Sequence, residues 1–267
     1  MDDRPSDALI RAARLAADAA RPVTLRHFRN PALTTDDKGV GGFDPVTRAD
    51  RDAEAAIREV LSRERPDDAI LGEEMAGRDG RSGLTWVIDP IDGTRGYISG
   101  TPTWGTLISV ADATGPVFGL IDQPYTDERF LGGFGLARLE GGRVTRDLAT
   151  RPTGALSEAT LMTTFPEVGS AAEARAFHRL GARVRLVRYG MDCYAYALLA
   201  LGQIDLVVEA GLQPYDIHAP ICVVRAAGGI VTDWTGGDPS GGGRVLAAGS
   251  PEVHAAALEL LSDCPVD

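Results

Sequence analysis

Apolar residues near the start of the chain fall at Leu9, Ile10, Ala13, Ala16, Ala17 and Ala20, then at Leu25 and Phe28. That spacing predicts an amphipathic helix over residues 6–30, with Ser6 as its N-cap and a kink or break at Pro22. Residues 31–43, with Asp36, Asp37 and three glycines, read as a loop and a candidate flap over a site. Asp44 to Asp50 leads into a second helix with Ala53, Ile57, Val60 and Leu61 on one face, ending near Pro66. Thr47 or Asp50 would cap it. Short apolar runs at Ala69–Leu71 and Trp86–Ile88 read as buried strands. Strands over 104–110, 116–122 and 128–132, separated by glycine and proline turns, predict an antiparallel meander. A glycine- and arginine-rich connection runs from there to about residue 155.

Beyond it the pattern alternates. Strands are expected at 160–163, 184–187, 204–209, 230–232 and 245–247, and helices at 171–180, 192–201, 216–227 and 252–261. Alternation of this kind implies sheets covered by helices, an α/β (α+β) architecture. The change of pattern divides the chain into an N-terminal half, 1–150, and a C-terminal half, 151–267.

The chemistry concentrates at element ends. The strand at Trp86–Ile88 runs into Asp89-Pro90-Ile91-Asp92-Gly93-Thr94. Pro90 stiffens the turn, so two carboxylates three residues apart can aim at one point. Carboxylates held together repel unless a proton or cation sits between them, and Mg²⁺ takes carboxylate, water and phosphate oxygens. Gly93 and Thr94 would offer backbone N–H groups to a phosphate where a helix can start. Glu73 and Glu74 stand after the preceding strand, and Asp216 stands at a helix N-terminus, where a plain cap is the simplest role. Asp-Pro and Asp-Gly are also ordinary turn dipeptides. Four acidic clusters at element ends make a shared site the better reading.

A formal net charge of −11 argues against nucleic acid or an anionic membrane as a partner, and it makes an anionic substrate awkward unless cations line the site. Cys193, Cys222 and Cys264 are an odd number at no metal-ligand spacing, as for thiols in a reducing compartment. No apolar run approaches a membrane span, and the N-terminus lacks a signal-peptide core. The expectation is a soluble, cytoplasmic protein.

Gly72-Glu73-Glu74, the Asp89–Thr94 block, and Tyr215-Asp216 with the helix end Ala226-Ala227-Gly228-Gly229 resemble the Mg²⁺-dependent inositol monophosphatase family, from about Asp44 to Trp234. The resemblance implies a layered α/β/α/β/α sandwich of the inositol monophosphatase/fructose-1,6-bisphosphatase type, usually dimeric. It implies that Glu73, Asp89 and the carbonyl of Ile91 hold one metal, and Asp89, Asp92 and Asp216 a second. Asp50 with Glu73 would hold a third, weaker ion or its waters. The ions would be Mg²⁺, two or three per site, with Mn²⁺ as an alternative. Thr94 would orient the attacking water, helped by Glu73 and Thr47, and the N–H groups of Gly93 and Thr94 would bind phosphate. Two divalent ions about 4 Å apart suit an in-line displacement on a phosphate monoester, without a covalent phosphoenzyme.

Trp104-Gly105-Thr106, Tyr189 to Tyr194 and Pro214-Tyr215-Asp216 look like the histidinol-phosphatase branch. Glu209 matches a family position that contacts the leaving alcohol. Asp192 and Glu209 suit the ammonium and imidazole of L-histidinol phosphate, whereas a neutral cyclitol would not need Asp192, which can also serve as a helix cap. Inositol 1-phosphate and fructose 1,6-bisphosphate are the alternative substrates. The Asp-x-x-Asp spacing departs from the Asp-x-Asp of haloacid-dehalogenase-type phosphatases. A non-catalytic metal- or phosphate-binding regulator would retain these ligands without turnover.

Overall fold

The computed structural model describes residues 5–37, 45–142 and 144–265. Helix α1 (Pro5–His27) is not split at Pro22, which lies near its end, where a missing N–H forfeits a single bond. Its buried face is Ala12, Ala13, Ala16, Ala17 and Ala20, small enough for α2 (Arg48–Glu64) to pack closely through Ala53, Ile57 and Leu61. Between the helices, β1 (Thr35–Asp37) and β2 (Pro45–Thr47) pair antiparallel, so part of the expected loop is extended. The rest of that candidate flap, residues 38–43, lies outside the described residues.

The first sheet has seven strands in the order β3 (Ala69–Gly72), β4 (Thr85–Asp92), β5 (Gly105–Asp112), β6 (Gly115–Gln123), β7 (Glu128–Gly133), β8 (Leu136–Gly141) and β9 (Arg146–Asp147). β3 and β4 are parallel and the remainder is an antiparallel meander. It is longer than the sequence suggests. β8 and β9 occupy the expected connection, hidden there because β8 mixes Arg138 and Glu140 with its leucines. Side chains alternate across the sheet. Trp86, Ile88, Ile108, Val110 and Leu120 pack under α1 and α2, while Leu107, Ile121 and Phe130 point the other way.

On that other face lie α5 (Asp192–Ala200) and α6 (Pro214–Ala226), and beyond them the second sheet. Gly119 and Gly132 let α6 lie directly on the backbone of β6 and β7. A Cβ on Gly119 would meet the Ala219 carbonyl oxygen at 2.4 Å, and one on Gly132 the Cys222 carbonyl oxygen at 2.4 Å. The second sheet runs β11 (Leu186–Tyr189), β10 (Thr160–Thr163), β12 (Leu206–Leu212), β14 (Gly243–Ala248), β13 (Ile230–Thr232). β11 begins two residues later than expected, with its pairing to β10 starting at Leu186 opposite Thr160. α4 (Ala171–Gly181) and α7 (Pro251–Leu261) cover its outer face through Phe177, Leu180, Val253 and Leu261. The layers are therefore α/β/α/β/α, as expected. Among the described residues no helix is long and apolar enough to cross a membrane.

Candidate active site

β4 does not end at Ile88. It continues to Asp92, and its pairing with β5 slips between Asp89, opposite Leu107, and Asp92, opposite Gly105. Residues three apart on a regular strand point to opposite faces. The one-residue bulge removes that alternation and brings both carboxylates to one side. Pro90, which cannot donate to a ladder, sits inside the bulge, where no ladder bond is lost. The bulge, rather than a free turn, aims the two acids.

Asp216 approaches from α6. One carboxylate oxygen from each of Asp89, Asp92 and Asp216 lies within 4.8 Å of the other two. Each of these acids is anchored by a backbone donor on one oxygen. Ile91 N–H donates to Asp89 Oδ1 at 3.0 Å, Cys193 N–H to Asp92 Oδ2 at 2.7 Å, and Gln213 N–H to Asp216 Oδ2 at 2.7 Å. Asp89 also shares a side-chain hydrogen bond with Asp216, so a proton between carboxylates now stands where a cation would. Glu73 joins them close enough to share a hydrogen bond with Asp89. Its turn is set from α2, where buried Glu54 takes the Glu74 N–H at 2.8 Å and the Arg58 Nε at 2.7 Å. Gly72 makes room for Glu54, whose Oε1 would lie 2.2 Å from a Cβ there.

Thr47 and Asp50 do cap α2, and neither lines the cleft described next. Asp50 Oδ2 accepts from Thr47 N–H at 2.9 Å and Thr47 Oγ1 at 2.6 Å, yet Asp50 Oδ1 is buried with no partner. Burial pushes the Asp50 carboxyl up to about 6, and the charge of Glu74 adds to the shift.

Asp92 and Asp216 open onto a cleft of about 420 Å³, with Asp89 buried behind them. Its walls carry Glu73, Asp92, Gly93, Thr94, Asp192 and Glu209, so most sequence-identified residues meet there. Ile91 is buried beneath the wall, and its carbonyl accepts from Thr94 Oγ1 at 3.2 Å. Gly93 has φ +84° and touches Asp192, whose Cγ would be 2.8 Å from a Cβ. Asp192 itself holds φ +46°, a strained setting for a non-glycine residue. Met191, not Asp192, is the N-cap of α5, and the Asp192 Oδ2 instead accepts from Thr103 Oγ1 at 3.4 Å. Glu209, buried on β12, accepts from Thr164 N–H at 2.7 Å, Thr164 Oγ1 at 2.9 Å and Thr163 Oγ1 at 3.1 Å.

Burial is the main cause of raised carboxyl pKa values across the site. It pushes Asp192 and Asp216 up to about 6 and Glu209 up to about 7, the last against its threonine bonds. Asp89 is driven well up by burial and then by the charges of Glu73, Asp92 and Asp216. Asp92 rises likewise, through burial and then Asp192 and Asp216. A set of acids that resists ionisation alone is one a cation would relieve.

Three features escaped the sequence. Tyr196 lines the cleft with its hydroxyl buried and unpartnered. The spacing of Asp192, Cys193 and Tyr196 on one helix face was the available signal. Arg95, next to Thr94, is the one basic side chain among the described residues lining the cleft. Phe165 stacks on it, and nothing local in the sequence marks that ring.

Residues 6–265 match the profile of the inositol monophosphatase family. The chain belongs to that family. The bifunctional phosphatase IMPL2, chloroplastic, of Arabidopsis thaliana is 41% identical over 256 residues, 92% of this chain and 72% of that protein. The histidinol-phosphatase of Mycobacterium tuberculosis is 34% identical over 240 residues, 87% of this chain and 90% of that one. A solved inositol monophosphatase from Zymomonas mobilis matches with a TM-score of 0.85 and 38% identity, covering 97% of this chain and 100% of the other. Membership of the inositol monophosphatase family makes the chain a metal-dependent phosphatase, a hydrolase of phosphate monoesters. The carboxylates fit the metal: three oxygens converge, each acid is tied down by a backbone N–H, and Asp50 offers a further orphaned oxygen.

Proposed function

We propose that this chain hydrolyses L-histidinol phosphate to L-histidinol and inorganic phosphate, with Mg²⁺ as its metal and Mn²⁺ as a substitute. Glu73, Asp89 and the Ile91 carbonyl would hold one ion, Asp89, Asp92 and Asp216 a second, and Asp50 with Glu73 a third. Bound divalent ions supply neutralisation of the phosphate charge and activation of a water for in-line displacement. The protein's own part is positioning. The Thr94 hydroxyl, donating to the Ile91 carbonyl at 3.2 Å, keeps its lone pairs for orienting the water. Thr47 would act only through Asp50, to which its hydroxyl donates. The N–H groups of Gly93 and Thr94 would take phosphate oxygens.

The observation that carries the substrate assignment is the placement of Asp192 and Glu209. Beyond the three-acid cluster, Glu209 is buried and Asp192 partly buried, and both stand on the cleft wall. An ammonium and an imidazolium give both acids a counter-charge and offset their desolvation, which a neutral cyclitol does not. The histidinol-phosphatase relative at 34% identity supports the same reading.

Asp92→Asn should abolish turnover with the fold intact. Asp192→Ala should lower kcat/KM for histidinol phosphate by about a hundredfold, the loss typical of an uncompensated buried charge, and lower it far less for inositol 1-phosphate. Equal losses on both would refute the role of Asp192. A second reading, inositol 1-phosphate hydrolysis, is favoured by the likeness to the Zymomonas mobilis inositol monophosphatase. Side-by-side kcat/KM for histidinol phosphate, inositol 1-phosphate and fructose 1,6-bisphosphate decides between them.

A further inference from the structure

Phe165 is a large apolar ring left 41% exposed at the wall of an acid-lined cleft. One face of it is covered by the Arg95 guanidinium, whose carbon stands 4.7 Å from the ring centroid. The two residues come from opposite sides of the cleft. Arg95 belongs to α3 (Thr94–Ile98), one residue after Thr94, and Phe165 follows β10 of the second sheet. Phe165 is held where it is by its neighbour, because Thr164 donates both its N–H and its hydroxyl to Glu209. The charge of Arg95 also reaches Asp192, whose carboxyl it favours in the ionised form. A cation at this point therefore has an aromatic face, with carboxylates on the same cleft wall.

We propose that the Phe165 ring is the platform on which the cationic leaving group of the substrate stacks, and that Arg95 occupies it only until substrate arrives. This rests on the histidinol phosphate reading and specifies how that substrate is told from neutral esters. Two cations cannot share one ring face, so an incoming imidazolium or ammonium displaces the guanidinium. The phosphate supplies the compensation. It is the one strongly anionic part of the ligand, it docks beside Thr94, and the adjacent Arg95 is the basic lining side chain able to follow it. Neutral leaving groups offer nothing to the vacated ring, although their phosphate draws the guanidinium away in the same manner.

The experiment compares kcat/KM for histidinol phosphate and glycerol 2-phosphate in the Mg²⁺-loaded enzyme and in three variants. The ratio of the two values should fall about tenfold in Phe165→Ala, the usual reach of a partly desolvated cation–π contact, with the change in KM. It should recover in Phe165→Trp. Arg95→Gln should lower both values together and leave the ratio unaltered. A Phe165→Ala variant that loses equally on both esters, or on neither, overturns the platform while a wild-type preference for histidinol phosphate keeps the substrate reading alive. A wild-type enzyme with no such preference removes the substrate reading. In that case a ratio still lowered by Phe165→Ala upholds the platform, and an unmoved ratio removes it too.

Discussion

Replacing Asp216 by Asn tests the claim that the site is strained without a cation. The side chain keeps its shape, and an amide oxygen can still accept the Gln213 N–H now made at 2.7 Å. Only the charge is lost. Burial raises this carboxyl from 3.8 to about 6, roughly two units at ~1.4 kcal/mol each, so ~1–3 kcal/mol after allowing for its partial exposure. The folded-state value lies above the unfolded one. The stability linked to the protonated carboxyl is therefore complete below about pH 4 and is lost as the pH rises through about 6. Metal-stripped wild type should thus lose this amount between those limits, and Asp216→Asn should not. At pH 7.5 the stripped variant should melt higher by several degrees, on the order of 2–4 °C per kcal/mol for a chain of this size. Adding Mg²⁺ reverses the order, because a ligand at about a hundred times its Kd stabilises by ~2.7 kcal/mol and the variant lacks a ligand for it. Thermal denaturation with and without chelator, from pH 4 to 8, reads all of this. A stripped variant that melts below wild type, or an equal Mg²⁺ shift in both proteins, would defeat the reasoning.

Gly93→Ala must hold φ near +84° and push on the Asp192 carboxyl; a loss of ~1–3 kcal/mol in urea unfolding is expected, and a change under 0.5 kcal/mol (about the surface-substitution scatter) counts against it. Tyr196→Phe removes a buried hydroxyl with no partner, so metal-stripped stability should hold or rise by up to ~1–2 kcal/mol; a clear fall in Tm would reveal a hidden partner. Asp205 is buried, which pushes its carboxyl up, but bonds from Arg151, Thr153 and the Thr160 N–H at 2.6 Å hold it below the usual range. Its contribution is present above about pH 4 and lost as the pH falls through the lowered value. Asp205→Asn should cost ~3 kcal/mol at neutral pH and flatten the acid limb of the stability profile; an unchanged acid limb assigns that limb to other groups.

The layers and most of the site were legible in the chain, because alternation and helical spacing record which face is buried and because four acidic clusters coincide at element ends, although each alone reads as a cap or turn. The bulge was not. Asp89 and Asp92 lie three apart in a run that reads equally as a strand end and as a turn, and only the register against Leu107 and Gly105 separates the two. Asp50 was legible as a cap, and the structure bears that out. Its orphaned second oxygen could not be read, since it depends on what surrounds the residue in space. The Arg95–Phe165 stack joins residues seventy positions apart, one on the helix after β4 and one in the loop after β10, and local pattern is blind to such pairs.

The glycines under α6 have a mechanical meaning. Asp216 rides on that helix, and where the helix meets β6 and β7 it rests main chain against main chain, with no rotamer between them to adjust. Such a seat behaves as a hard stop. The spacing between Asp216 and the strand-borne acids is then gauged by backbone contact rather than by adjustable side chains, which suits a site demanding sub-ångström tolerance.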